Sequence, residues 1–132
     1  MMVNHRGNDM DHFVVWQRIE GALVFLAGIG LFWWLDSGIA WWLALLIFFA
    51  PDLSFLGYLM GPRVGGAIYN GVHIYGFGAM LLALGLLATL PVMAALGALW
   101  LAHSGFDRVM GYGLKSAGSF SETHMGRIGK AK

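Results

Sequence analysis

The chain has 132 residues, of which 58% are hydrophobic and only 11% charged, with a mean hydropathy of +0.68. Soluble domains carry roughly 25% charged residues, so one domain of this composition has too much apolar surface for water and is expected to lie in a bilayer. Eight Lys and Arg against seven Asp and Glu leave a net charge of +1, which offers nucleic acid no basic surface, and the absence of cysteine excludes disulfides, thiolate metal sites and a cysteine nucleophile.

Residues 1–12 are polar and read as a flexible lead. They lack the basic start and small-residue cleavage site of a secretory signal, so the first apolar segment is expected to stay in place. A membrane-spanning helix needs about 20 mainly apolar residues. Four segments come near that length. The first covers 13–35 and carries no charge from 21 onward, and Asp36-Ser37-Gly38 makes a turn. The second covers 39–60, interrupted by Pro51-Asp52, before a second turn at Gly61-Pro62-Arg63. The third covers 66–90 and holds Asn70 and His73, with Pro91 at the third turn. The fourth covers 92–110 and holds His103, Asp107 and Arg108. Continuous apolar runs exclude alternating hairpin strands. Short turns make neighbouring helices antiparallel, so the expectation is an all-α integral membrane fold: a four-transmembrane-helix up-down bundle over 13–110.

All eight basic residues (Arg6, Arg18, Arg63, Arg108, Lys115, Arg127, Lys130 and Lys132) fall on one side of this topology. The positive-inside rule then places both termini in the cytoplasm. Trp33, Trp34, Trp41 and Trp42 surround the opposite turn, where indole rings favour the headgroup zone.

With the helices so oriented, Glu20, Asp52, His73 and His103 each lie on the order of 10–13 Å inside the cytoplasmic boundary. Intramembrane charge costs roughly 2.5–3.5 kcal/mol, so these groups are expected to face one another in a shared pocket with Asp107. His103 and Asp107 are one helical turn apart on one face, as are Asn70 and His73. Imidazole and carboxylate are the donors that suit zinc first, with manganese or iron as alternatives. The expected ligands are His73, His103 and Asp107 with Asp52 as the fourth, and Asn70 as an orienting partner. Glu20 or a spare carboxylate is read as general base, and Arg108 or Lys115 as the group that meets developing negative charge or a lipid phosphate. Blander readings exist for each residue alone. A buried His often only bonds two helices, Asp107 and Arg108 can pair at the interface, Glu20 can pair with Arg18 or Arg108, and Asp52 can satisfy backbone freed by Pro51.

Other patterns carry less. Gly57-x3-Gly61-x3-Gly65 reads as close packing of the second helix. Gly111-x-Gly113 follows no strand, so dinucleotide binding is discarded, and no phosphate-binding P-loop run exists. Ser54 has no sequence support as a nucleophile. Residues 111–132 form a Gly- and Ser-rich cytoplasmic tail, read either as a flexible extension or as a cap that adds Lys115 or His124 to the site.

The combined motifs Pro51-Asp52-Leu53-Ser54-x-x-Gly57-Tyr58, Tyr69-Asn70-x-x-His73, His103-x-Gly105-x-Asp107-Arg108-x-x-Gly111-Tyr112-Gly113-Leu114-Lys115 and Thr123-His124-Met125-Gly126 are specific. They resemble a family of small bacterial integral membrane proteins catalogued as domain of unknown function 4260, over about residues 16–130. That family is similar in carrying an acidic residue early in its first helix, matched by Glu20; Met125 stands where members usually have Leu. The resemblance implies a multi-pass protein of the bacterial inner membrane and adds Tyr58 and His124 to the residues supporting the site. It implies no activity. From the residues, the first reading is a metal-dependent intramembrane hydrolase of a lipid-like ester, amide or phosphoester. The alternatives are a proton or cation relay or transport protein, which at this size needs a homo-oligomer, and a structural or partner-binding membrane subunit.

Overall fold

The uncharged run that begins at Gly21 leaves the backbone no polar partner but itself, and it lies inside one long helix, α1 (His5–Leu35). The computed structural model describes residues 5–114, 122–123 and 125–127. Helix α1 already begins at His5, so 5–12, expected as a flexible lead, form its first turns. Its end is set by Asp36 and Gly38, both with positive φ (46° and 84°). Helix α2 (Trp41–Phe48) follows, and then Pro51 intervenes. Proline has no amide hydrogen and its ring crowds the carbonyl four residues back, so the α winding cannot continue. The chain tightens into a 3-10 helix over Ala50–Met60, far longer than the three or four residues usual for that winding.

Gly61, with φ of 104°, makes the next turn, and Pro62 opens α3 (Pro62–His73) with its φ already set for a helix. A single extended residue, Ile74 (φ −71°, ψ 148°), separates α3 from α4 (Tyr75–Leu87), and the two helices are bent by 47° at that break. Thr89, at φ 54°, turns the chain into α5 (Pro91–Val109), again opened by proline. In the tail, β1 (Glu122–Thr123) pairs antiparallel with β2 (Gly126–Arg127), a short ribbon for which the sequence shows no alternating pattern.

The second apolar segment is thus broken at Pro51, where the sequence marked an interruption, and the third at Ile74, where the sequence suggested one continuous helix. Among the described residues two stretches are long and apolar enough to cross a membrane, Asp9–Leu35 and Trp41–Met60, and α3 with α4 make a third if counted as one bent span.

Helix α5 lies at the centre, packed along α1 on one side and α4 on the other. Ala94, Ala95, Ala98, Leu99 and Ala102 are wholly or nearly buried. Small residues bring the backbones together, the device by which helices pack where lipid removes the usual hydrophobic drive. Gly28 lies so close to Ala98 and Ala102 that a Cβ there would sit 2.7 Å from the Ala98 carbonyl oxygen. Gly78 and Gly85, two turns apart, meet Leu101 and Ala94 in the same way. Gly57, Gly61 and Gly65 do not make one helix face. Gly61 is the turn itself, and Gly57 and Gly65 let the 3-10 helix and α3 close against each other, with the Tyr58 ring over Gly65. Arg18 donates from Nε to the Val109 carbonyl (2.9 Å) and so closes the C-terminal end of α5 onto α1. Outward faces carry Trp33, Trp34, Leu53 and Leu59, all exposed, as a lipid-facing surface requires.

Candidate metal centre

Both helix breaks fall at one place. His73 is the last residue of α3, Asp52 stands just after Pro51 in the first turn of the 3-10 helix, and His103 and Asp107 lie one turn apart on α5. Breaking a helix frees carbonyls that need donors. At the end of α3 the Ile74 amide donates to the Asn70 carbonyl (3.0 Å), and α5 supplies the rest: Trp100 Nε1 donates to the Val72 carbonyl (2.9 Å) and Arg108 Nη2 reaches the His73 carbonyl (3.5 Å). Arg108 Nη1 donates to the Tyr112 carbonyl (3.2 Å), and the guanidinium lies 5.5 Å from the centre of the Tyr75 ring. The break is therefore braced by the helix that carries the other two site residues.

The imidazoles are fixed by their surroundings. His73 Nδ1 lies 2.8 Å from the Tyr69 carbonyl oxygen, which can only accept, so Nδ1 carries the hydrogen. The His73 ring stacks on Tyr69 at 3.8 Å, and Phe55 stacks on Tyr69 in turn at 5.2 Å. His103 is held edge-on by Phe48 (5.3 Å) and Phe49 (6.4 Å); its Nδ1 is buried with no hydrogen-bond partner among the described residues. Side-chain exposure is 0% for His73, 1% for His103, 10% for Asp107 and 39% for Asp52, so the group opens on the Asp52 side.

The four side chains converge on a small space. His73 Nε2 lies 3.3 Å from His103 Nε2, 3.5 Å from Asp52 Oδ1 and 3.4 Å from Asp107 Oδ2. His103 Nε2 lies 3.1 Å from Asp52 Oδ1 and 3.3 Å from Asp107 Oδ2. A tetrahedral ion with bonds of about 2.0–2.1 Å requires donors about 3.3–3.4 Å apart. Asp52, His73, His103 and Asp107 offer one donor each, all within 4.8 Å of one another, and this group could hold a metal ion. The Nδ1 hydrogen bond of His73 is the kind of outer contact that orients a ligating imidazole and leaves Nε2 free for a metal.

Glu20 stands apart. It is exposed on α1 beside Phe13, Trp16 and Leu23, on the side toward Tyr75, and is not one of the four grouped residues, where the sequence placed it in the shared pocket. The reason is helical phase: Gly21 and Gly28 set the face that meets α5, and Glu20 is turned about 100° away from it. Arg108, read from the sequence as meeting substrate charge, is buried against backbone carbonyls. Asn70 is partly buried one turn before His73, and Tyr58 is partly buried over Gly65. Lys115 and His124 lie outside the described residues. The sequence reading missed Tyr69, Trp100 and Phe48. Tyr69 was within reach, being four residues before His73 and so on its helix face; nothing in the sequence pairs Trp100 with Val72 across 28 positions.

No curated protein and no solved structure matches the chain. A family model does, over residues 14–128, which is most of the chain. With motifs and match in agreement, the chain belongs to the family described as Domain of unknown function (DUF4260).

Proposed function

We propose that the protein is a four-span membrane protein, both termini cytoplasmic, in which Asp52, His73, His103 and Asp107 hold a divalent metal, zinc first, and that this centre hydrolyses a lipid-like substrate. One observation carries the reading: five donor–donor distances of 3.1–3.5 Å among side chains from three elements, two of them at deliberate helix breaks. Nitrogen and oxygen donors without sulfur suit zinc at a catalytic site. With His73, His103 and Asp107 holding it and Asp52 giving its place to a water, such an ion would lower the pKa of that water toward 7 and would polarise a carbonyl or phosphoryl oxygen.

The chain's own residues supply the rest. Asp52, the most exposed of the four, faces the open side and is the carboxylate placed to accept a proton there. Arg108 acts as a positioning residue, holding the α3 terminus and with it His73. Glu20, outside the four-residue group, is assigned no step. The fourth span is α5, whose His103, Asp107 and Arg108 are tolerated because Asp52, His73 and Phe48 of the neighbouring elements meet them. A second reading, a proton relay, is favoured by the direct contact of both imidazoles with both carboxylates, which protonated rings would also make.

Elemental analysis of protein purified without a metal-affinity tag separates the two. The proposal expects stoichiometric zinc, manganese or iron in the wild type and a trace in His103→Ala. Metal-free wild type that moves protons across liposome membranes would support the relay instead.

A further inference from the structure

Along a 3-10 helix, residues three apart lie in one row. The Asp52 amide donates to the Phe49 carbonyl (3.1 Å), so the tight winding already holds from Phe49, and Phe49, Asp52 and Phe55 form such a row. Leu53 and Leu56 belong to the next row, and all four apolar residues are exposed. Asp52, the open side of the four-residue group at 39% exposure, thus stands between two phenyl rings. Both rings belong to the packing of the centre itself. Phe49 lies edge-on to His103 (6.4 Å), and Phe55 stacks on Tyr69, which stacks on His73. The depth of this opening follows from the winding. Trp41–Met60 is long and apolar enough to cross a membrane. At 1.5 Å per residue in α2 and about 2.0 Å in the 3-10 helix, Asp52 stands about 16–18 Å from either end of that stretch. That is the middle of the span, deeper than the same residues wound as an α-helix would leave it.

We infer that the metal centre opens sideways into the bilayer, through a mouth rimmed by Phe49, Leu53 and Phe55, and that its substrate is an uncharged ester or amide dissolved in the membrane. The substrate class rests on the hydrolase reading and narrows it; the mouth rests on geometry and depth. At mid-span the surface around Asp52 meets hydrocarbon. Large apolar side chains above, below and beside an opening cost nothing there, whereas a water-filled mouth would wet two phenyl rings and two leucines. The Asp52 charge is met from within, where Oδ1 lies 3.1 Å from His103 Nε2 and 3.5 Å from His73 Nε2. Entry from hydrocarbon selects by charge. A phosphoester would have to shed the water around its anionic oxygens to reach this depth, at a cost far above that of an uncharged carbonyl. Hydrolysis then bonds water oxygen to the carbonyl carbon, breaks the bond to the alkoxide oxygen or amine nitrogen with its electron pair, and passes a water proton to that leaving group.

Spin labels on the full-length protein in liposomes test the mouth. The chain has no cysteine, so Phe49→Cys, Leu53→Cys and Arg63→Cys each take a single label. Phe49 and Leu53 are exposed on either side of Asp52, and Arg63 is exposed at the turn after the 3-10 helix. The first two labels should collide more with dissolved oxygen than with a water-soluble nickel chelate, and the third the reverse. Zinc removal tests the passage and its preference for uncharged molecules. From zinc-loaded wild type, neutral bathophenanthroline should strip the ion several times faster than its anionic disulfonate, which carries the same ring nitrogens but stays in water. Leu53→Trp, which crowds the mouth from an exposed position, should slow the neutral chelator alone. Nickel collisions that dominate beside Asp52, equal stripping by the two chelators, or a Leu53→Trp variant that slows neither overturns the sideways mouth even if zinc is bound. Oxygen-dominated labels on a chain that holds no zinc support the mouth and remove the hydrolase reading, and the substrate class with it.

Discussion

His73 and His103 meet Nε2 to Nε2 at 3.3 Å, with the hydrogen of His73 committed to Nδ1 and the Tyr69 carbonyl. In the neutral ring, His73 Nε2 is then a bare lone pair. At this range the two nitrogens fit together only with a hydrogen on His103 Nε2 or with a cation between them. Carboxylate oxygens of Asp52 and Asp107 approach the same two nitrogens, which concentrates negative charge where a cation would sit.

On the metal reading, removing the ion should loosen the fold. Linkage gives about 3–4 kcal/mol of stabilisation when free metal exceeds its dissociation constant 100- to 1,000-fold. Chelator is expected to lower the melting temperature of detergent-solubilised wild type by several degrees and to leave that of His103→Ala unchanged. Identical responses from the two proteins would count against metal-linked stability.

The carboxylates should be unequal. Asp107 is nearly buried and Asp52 is open on one side. Asp107→Asn is expected to weaken zinc binding by at least tenfold and to cost about 1–3 kcal/mol of stability, because it disturbs a buried hydrogen-bonded group. Asp52→Asn should weaken zinc binding comparably with little loss of stability. Competition with a chromophoric chelator and thermal unfolding measure the two quantities separately.

The brace on the α3 terminus gives a prediction at a residue outside the four donors. Trp100→Phe keeps the ring but removes the donor to the Val72 carbonyl. Leaving that partly buried carbonyl unpaired should cost about 1 kcal/mol, and it should reduce metal affinity although Trp100 is not one of the four grouped residues. Metal affinity equal to the wild type would mean that the break holds His73 without help from α5.

Much of the chain's plan was legible because lipid enforces strict rules. The helical segments and the turns near Asp36, Gly61 and Pro91 follow from apolar runs punctuated by Asp, Gly and Pro. The convergence of Asp52, His73, His103 and Asp107 was legible through depth alone, since each residue's distance along its helix could be counted. Glu20 shows the limit of that count. Depth says nothing of rotation, and the phase of α1 is set by Gly21 and Gly28 meeting α5, a long-range packing choice. The long 3-10 helix was hidden for a similar reason: Pro51 announces a break, but not that ten residues will keep the tighter winding. Trp100 and Phe48 carry no local signal because their partners lie on other helices.

The glycine seams should separate sharply by position. A Cβ at Gly28 would collide with Ala98 and Ala102, whereas Gly30 has nothing within 4 Å. Gly28→Val should destabilise by about 1–3 kcal/mol through forced separation of α1 from α5. Gly30→Ala should be neutral or stabilise by up to about 1 kcal/mol, since alanine restricts the unfolded chain. Thermal unfolding in one detergent compares the pair directly.

The central claim is that four side chains of this chain hold one metal through nitrogen and oxygen alone. Zinc K-edge absorption spectroscopy of the zinc-loaded wild type tests it most directly. The account predicts a four-coordinate nitrogen and oxygen shell at about 2.0–2.1 Å, with the outer-shell scattering of two imidazoles, lost in the double variant His73→Ala, His103→Ala. An imidazole-free shell of water oxygens, or a spectrum the double variant leaves unchanged, would contradict it.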